Sequence, residues 1–560
     1  MSDAVVVTSF LSVLQAFSGC FTSPSFDSFT TLMTGWVLDL RRHTVTEVIR
    51  AAGAVGQKHI SSFHRFFSRA RWTTDEVGLT LAALVVRHLV PSGVIGLIVD
   101  DTLGRHTGKR IAAASMHRDP LLSTGRRPFF HWGHVWVVLS IEVTLFEKSW
   151  ALPVLFRLHR SEKRCKADKR RYRKLTEQAF ELVGLLVRRY PERRFELLGD
   201  AAYTNGSLIK GRPSNVTLIG RGRLDAALYA PAARRRRGQM GRPRVRGRRL
   251  ASPERRARAK DARWKNVVVR VYGRTVTVRV LVLDALWYVA AGSELMRSVV
   301  VRDFPGHEKD DVFVSTDPKL SPQHIIESFS KRWSLEVSFH EAKGKLGFED
   351  PQNRTERAVE RTAPLALISY SLTVLWYVLH GQRSRAARLP TLPWYSHKAG
   401  TTFSDMLATL RRASWSERLF DPASSPHDLE KTSATIGRLR CQCRIAHPPP
   451  ELAQRSGAGD LGEATHPERE ARGWMGWGHP TQLHSFKLAQ DETSTSIPLN
   501  RWVFAVLLSI RERACSIGGH AKAIHREFDS RRAGRTQANR GPGARVGPEA
   551  NESPHSLEGG

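Results

Sequence analysis

The chain has 560 residues, with 87 Lys and Arg against 53 Asp and Glu, a net charge of +34, 41% hydrophobic residues and five cysteines. That length exceeds one compact domain, and the hydrophobic share supports sizeable cores, so two to four domains are expected. The charge points to a polyanion partner over a merely soluble basic surface, and the scattered cysteines, with no second pair to match Cys441-x-Cys443, speak against zinc and suit a reducing compartment.

Residues 1–90 read as a helical, DNA-binding domain. The apolar run from Ala4 to Phe21 has no Lys or Arg before Arg41, so it lacks the basic start of a secretion signal. Val45–Ala52 and His59–Arg69 flank the Gly53–Gly56 break, the pattern of a helix-turn-helix. Arg65 and Arg69, with Arg41, Arg42, Lys58 and Arg71, are available for phosphates. Residues 91–204 bring the first strands. In GVIGLIVDDT an apolar run enters Asp100 and Asp101, Trp132–Leu145 reads as one strand or two, and FELLGD again ends an apolar strand in an acid, Asp200. Acids at the ends of neighbouring strands converge where α/β sheets build sites.

Residues 205–315 are β-rich, with strands expected at Val267–Val271, Val276–Leu283 and Ser298–Arg302. An arginine run from Arg234 to Arg263 precedes them, opposed only by Glu254 and Asp261. Its self-repulsion predicts a mobile arm that orders on phosphates. Within it, Arg242 and Arg244 stand in GRPR, the form of a minor-groove hook.

Residues 316–385 return to helix. Phe329, Arg332, Glu336 and Lys343 follow at spacings of 3, 4 and 7, which on one continuous helix is a single stripe. Trp333 adjoins Arg332 as a further DNA contact. Pro364–Leu379 is shorter than the ~20 residues of a membrane span and reads as a core helix, so no membrane partner is expected. After Pro390 and Pro393 a helical segment, residues 386–445, centres on Thr402–Leu419. Residues 446–560 read as largely disordered, with Trp502–Ile517 as the one helical stretch.

Three carboxylates, Asp101, Asp200 and Glu336, stand out against this basic chain. Phosphodiester cleavage needs an activated water and a stabilised leaving oxygen, and two Mg²⁺ ions (with Mn²⁺ as a substitute) on hard oxygen ligands supply both. Arg332 and Lys343 would grip the phosphate. Asp101 is chosen over Asp100, the alternate first acid, because neighbouring strand residues point to opposite faces. Which face turns inward is not decided by the sequence.

With these residues in place the chain resembles a DDE transposase of bacterial insertion sequences, the branch with a Tyr-x2-Arg-x3-Glu-x6-Lys signature. Arg332, Glu336 and Lys343 match that signature. VDDT and LLGDAAY match the two aspartate motifs, and HTVTEVIRAAG, SSFHRFFSRARW, GRPRVRGRRL, FVSTDPKLSP and LPWYSHKAGTTFSDML extend the similarity over roughly residues 25–440. The resemblance implies an α/β fold: an RNase H-like mixed sheet flanked by helices, split at 91–204 and 316–385 by a β-rich insertion domain. It also implies an enzyme that binds the terminal inverted repeats of its own element, cuts them and joins the 3′-OH ends to target DNA. Double-stranded DNA, a homodimer bridging two ends and a cytoplasmic, nucleoid-associated site of action follow. Phe329 departs from the signature: a phenyl ring stacks but donates no hydrogen bond. Trp264 and Trp287 are candidates to stack on a flipped base. A hydrolytic nuclease with the same core, or a catalytically dead DNA-binding remnant, would share much of this pattern.

Overall fold

A computed structural model of the chain describes residues 6–119, 122–124, 126–235, 240–384, 386–387 and 400–419. The reading of 446–560, the Trp502–Ile517 helix and the prolines at 390 and 393 lie outside the described residues.

The N-terminal segment is helical as expected: α1 (Thr8–Gln15), α2 (Ser23–Leu38), α3 (Val45–Ala51), α4 (Ile60–Ser68) and α5 (Thr74–Leu89). Two of these helices start on threonine caps: Thr44 accepts from Glu47 N (3.4 Å) and Thr73 from Glu76 N (3.1 Å). Each cap satisfies one free donor and sets a glutamate against the positive helix end.

The central sheet begins with β1 (Ile95–Arg105), β2 (Ser115–Arg118), β3 (Phe130–Leu145) and β4 (Lys148–His159). After α6 (Glu162–Ala167) and α7 (Leu175–Arg189) come β5 (Phe195–Gly199), α8 (Gly206–Gly211) and β6 (Val216–Arg221). β3 pairs antiparallel with both β1 and β4, while β1, β5 and β6 run parallel. The order β4-β3-β1-β5-β6 is the RNase H arrangement, with three antiparallel strands followed by two parallel crossovers. β4 is hard to read from sequence because KSWALPVLFRLH is apolar on both faces and contains Pro153. That proline sits at a register shift opposite Leu139/Ser140, where a missing N–H is tolerated. The β4 edge is closed by α5: a Cβ on Gly78 would lie 2.2 Å from Val154 O, so only glycine allows that approach.

The β-rich segment contributes α9 (Pro253–Ala257), β7 (Lys265–Val271), β8 (Arg274–Leu286), α10 (Tyr288–Ala291), β9 (Leu295–Arg302) and β10 (Asp311–Ser315). Its strands continue the core sheet. β10 pairs antiparallel with β6, and β9, β8 and β7 follow in order, giving one mixed ten-stranded sheet among the described residues. Among its described residues the arginine run makes contacts of its own. Arg246 lies between the rings of Tyr229 and Tyr288 (4.3 and 4.6 Å), Gly247 and Leu250 bond back to Ala230 and Leu228, and Arg256 pairs with Asp261. Cation–π contact and backbone pairing offset the repulsion there.

α11 (Pro322–Lys331) and α12 (Trp333–Lys345) replace the single helix expected for the Phe329–Lys343 stripe. The break is at Arg332, whose N–H donates to Phe329 O (3.1 Å) and whose carbonyl accepts from Leu335 N (3.0 Å), a tighter i→i+3 pattern. α11 packs on β5, β6, β10 and β7, whereas α12 packs on β1 and β4. α13 (Glu356–Leu379) follows, with Pro364 inside it. By length and composition it could cross a membrane, but 89% of its most apolar window is buried within the protein, as expected for a core helix. α14 (Phe403–Leu419) closes the described chain against α2 and α13.

Candidate active site

β1 carries Asp100 and Asp101 into the middle of the sheet, opposite Val138 and Val137 of β3. Strand alternation sends the two carboxylates to opposite faces. Asp101 turns to Tyr203, whose hydroxyl donates to Asp101 Oδ1 at 2.9 Å. Asp100 turns to the helical face, where Arg332 donates to Asp100 Oδ2 at 2.7 Å and to Glu336 Oε1 at 2.6 Å. One guanidinium thus joins the acid of β1 to the acid of α12, which the alternate first acid does and Asp101 does not.

Asp200 follows β5, directly beside β1 in the sheet. Its Oδ1 accepts from Ala202 N (2.8 Å) and Tyr203 N (3.1 Å). The carboxylate therefore caps its own turn while standing close enough to charge its neighbours. Burial pushes the Asp100 carboxyl up to about 7; Arg332 pulls it down, and Asp101 and Asp200 push it further up. Asp101 is raised by burial, with Tyr203 pulling it down and Asp200 pushing it up. Asp100, Asp101 and Asp200 thus form a cluster in which ionisation of one opposes the next.

Arg332 is largely enclosed, its side chain 17% exposed. Its Nε is buried without a hydrogen-bond partner. The Phe329 ring lies 5.9 Å from the guanidinium and 4.5 Å from Phe313. Phe329 is itself buried, so it is a floor beneath Arg332 rather than a surface open to DNA in this structure. Trp333, one residue on, is 48% exposed. Lys343 reaches β1 three residues past Asp100, donating to Leu103 O at 2.8 Å beside Glu349 at 4.0 Å. Burial lowers its ammonium.

Arg65, Arg69, Arg242 and Arg244 are exposed on α4, on the residue after it, and on the loop before α9. None of them contacts the acids. Trp264 supports Arg302 at 4.3 Å, and Trp287 packs partly buried against neighbouring apolar residues. Tyr203, the last residue of LLGDAAY, joins the acids, a role its place in the motif does not reveal. Tyr203 bonds Asp101 and, through its N–H, Asp200. Tyr272, at the β7–β8 turn with φ 52°, is half-exposed and packs edge-on to Phe304; burial raises its phenol, Arg332 opposes that and Glu336 adds to it.

Among the described residues no group of three or more His, Cys, Asp or Glu is set to hold one ion as it stands. The donor chemistry nevertheless fits a hard divalent cation. The available ligands are all carboxylate oxygens, and their mutual repulsion is what such a charge relieves. What stands between Asp100 and Glu336 is the guanidinium, a cation already in place.

Residues 16–282 match a family model described as a DDE superfamily endonuclease. That span holds Asp100, Asp101 and Asp200 and ends before Glu336. Among solved structures, the piggyBac transposase synaptic complex with hairpin DNA, determined by cryo-EM, aligns with a TM-score of 0.36 and 10% identity, over 77% of this chain and 81% of that one. No curated protein matches the chain.

Proposed function

We propose, from the family match and the acid cluster together, that this chain is a DDE-type transposase. It binds the ends of its own element, cuts them and joins the freed 3′-OH to target DNA. The observation that carries this reading is the Asp100–Arg332–Glu336 linkage beside Asp200: two elements far apart in sequence deliver carboxylates to one guanidinium, and the neighbouring strand ends in a third, in a strongly basic protein.

Asp100, Asp200 and Glu336 are the residues we assign to hold metal, with Asp101 as the buttress that Tyr203 fixes. Two divalent ions bound there would supply an activated water and a stabilised leaving oxygen. Arg332 changes partner in this scheme. A phosphodiester offers its guanidinium a bidentate partner in place of the two carboxylates, freeing Asp100 and Glu336 as ligands while Arg332 positions the scissile phosphate. Lys343, which reaches β1 three residues past Asp100, neutralises the strand leading away from the cut. Exposed Arg65, Arg69, Arg242 and Arg244 engage phosphates outside the active site, and their contribution is salt-dependent affinity. Bridging two ends requires at least a homodimer.

The test is a supercoiled donor carrying the element's own ends, incubated with protein and Mg²⁺ or Mn²⁺. Strand-transfer products are expected. Nicks without joining would make the protein a hydrolytic nuclease, and a gel shift on intact DNA would make it a binding remnant. Glu336→Ala should abolish cleavage while end binding stays within a few-fold. A variant that still cuts would remove Glu336 from the site.

A further inference from the structure

The β2–β3 hairpin, Ser115–Phe130 with its connecting loop, holds the most prominent aromatic surface near the site. Phe129 and Phe130 are 49% and 52% exposed; Leu122 in the loop and Met116 on β2 are 47% and 55% exposed. From His106 to Gly133 the sequence carries Lys109, Arg110, Arg118, Arg126 and Arg127 against one acid, Asp119. The five cations are exposed. Asp119 is 1% exposed and already committed: Arg105 donates to its Oδ2 at 2.6 Å, and His131 Nδ1 lies 3.0 Å from the same oxygen. The outward charge of the hairpin is therefore positive.

The loop is also braced. Asp119 N donates to Phe129 O at 2.8 Å, Ser123 Oγ donates to the same carbonyl at 3.1 Å, and Phe129 N donates to Ser123 Oγ at 2.9 Å. Across the tip, Thr124 N donates to Arg127 O and Arg127 N to Thr124 Oγ1, both at 3.0 Å. Both backbone groups of Phe129 are thus fixed while its ring and that of Phe130 face solvent. Holding two phenyl rings in water on a fixed backbone is unfavourable for the free protein. It suits a surface on which something flat is to be laid, because the ordering cost is met before binding.

The hairpin lies beyond the Arg105 end of β1, past the acids. Phe130 pairs with Arg118, Gly133 with Arg105, and Val138 with Asp100. At a rise of ~3.3 Å per residue the tip stands roughly 25 Å beyond Asp100. That is about seven to eight base steps at ~3.4 Å each. Arg332 at Asp100, Lys343 at Leu103 and Arg105 line the way.

We propose that this hairpin is a base-stacking tip for DNA leaving the active site: Phe129 and Phe130 stack on unpaired or distorted bases, and Arg118, Arg126 and Arg127 hold the adjacent phosphates. The proposal rests on the DNA-processing reading above. Aromatic rings interleaved with basic residues on a positive surface match single-stranded or opened nucleic acid, because every base has a π-face. An apolar protein partner would not call for the surrounding cations.

The probe is a pair of fluorescein-labelled 40-base-pair duplexes, one fully paired and one with a central three-nucleotide bulge, titrated without metal at several salt concentrations. The wild type should favour the bulged duplex about five-fold or more. Phe129→Ala/Phe130→Ala should erase that preference and leave the slope of log Kd against log salt unchanged. Arg126→Ala/Arg127→Ala should reduce the slope by about 1.8 and keep the preference. Phe129→Trp/Phe130→Trp should also keep it, which separates stacking from loss of loop structure. A preference that survives in the alanine pair overturns the proposal. So does an alanine pair altered only in sedimentation, since the rings would then serve contact between protein copies. If the wild type binds neither duplex, the DNA-processing reading falls first and this proposal with it.

Discussion

Asp100 and Asp101 are chemically identical neighbours, and a single backbone step separates their roles. Asp100 shares Arg332 with Glu336, whereas Asp101 is bonded by Tyr203. We expect Asp100→Asn to abolish DNA cleavage. Asp101→Asn should reduce it less, since Tyr203 still finds an acceptor in the amide oxygen. Single-turnover cleavage of labelled donor DNA checks this, and the opposite ranking would return Asp101 to the metal site. The sequence carried the pair of acids plainly. It could not choose between them, because alternation is certain but the inward face depends on which side α12 packs.

At the level of elements, the junction between α11 and α12 does what one continuous helix could not. A straight helix would put Phe329, Arg332, Glu336 and Lys343 in one row facing one surface. The break at Arg332 lets α11 lie over β7 and β10 while α12 crosses to β1, so Phe329 is buried against Phe313 and Glu336 still meets Arg332. α13 is tied to the N-terminal helices by another arginine. Arg361 is 7% exposed and donates to Ala70 O (2.9 Å) and Phe67 O (3.1 Å), with its guanidinium 4.4 Å from the Trp72 ring. Truncation leaves those buried carbonyls unpaired, so Arg361→Ala should cost about 2–4 kcal/mol in urea unfolding. A loss below ~0.5 kcal/mol would mean water replaces the guanidinium. The arginine run is the second element at issue. Its inner part is tethered through Arg246, but Arg242 and Arg244 are exposed. Arg242→Ala/Arg244→Ala should lower the salt slope of DNA binding by about 1.8, and an unchanged slope would exclude them as phosphate contacts.

For the molecule as a whole, folding buries histidines that the unfolded chain would leave in water. His134 is 1% exposed, with Nε2 2.8 Å from Ala112 O and its ring 4.8 Å from that of His106. Burial lowers it to about 4; the Ala112 carbonyl opposes that, and His106, His117 and Arg160 add to it. His117 is also lowered to about 4, chiefly by burial and then by His159. A depressed histidine stays neutral in the fold while the unfolded chain takes up a proton below ~6.5. Stability from His134 is therefore complete above that pH and falls as pH drops from ~6.5 to ~4, by on the order of 3 kcal/mol. His134→Gln should flatten the stability profile across that window in chemical denaturation. An identical profile would mean another group governs the acid limb.

The sequence by itself determined the strong positive charge, the helical N-terminal segment, the buried strand that carries two adjacent acids, the second acid of FELLGD and the Arg332–Glu336 spacing. Each of these rests on local composition or spacing, and local periodicity survives folding when it agrees with burial. Only the tertiary structure decided that Asp100 and Glu336 share Arg332, that Phe329 is buried and that Tyr203 bonds Asp101. It also decided that the β-rich strands extend the core sheet through β6 and β10. Those outcomes depend on register and on which face of β1 a helix covers, and both are fixed by contacts between residues about 100 to 240 positions apart in the chain.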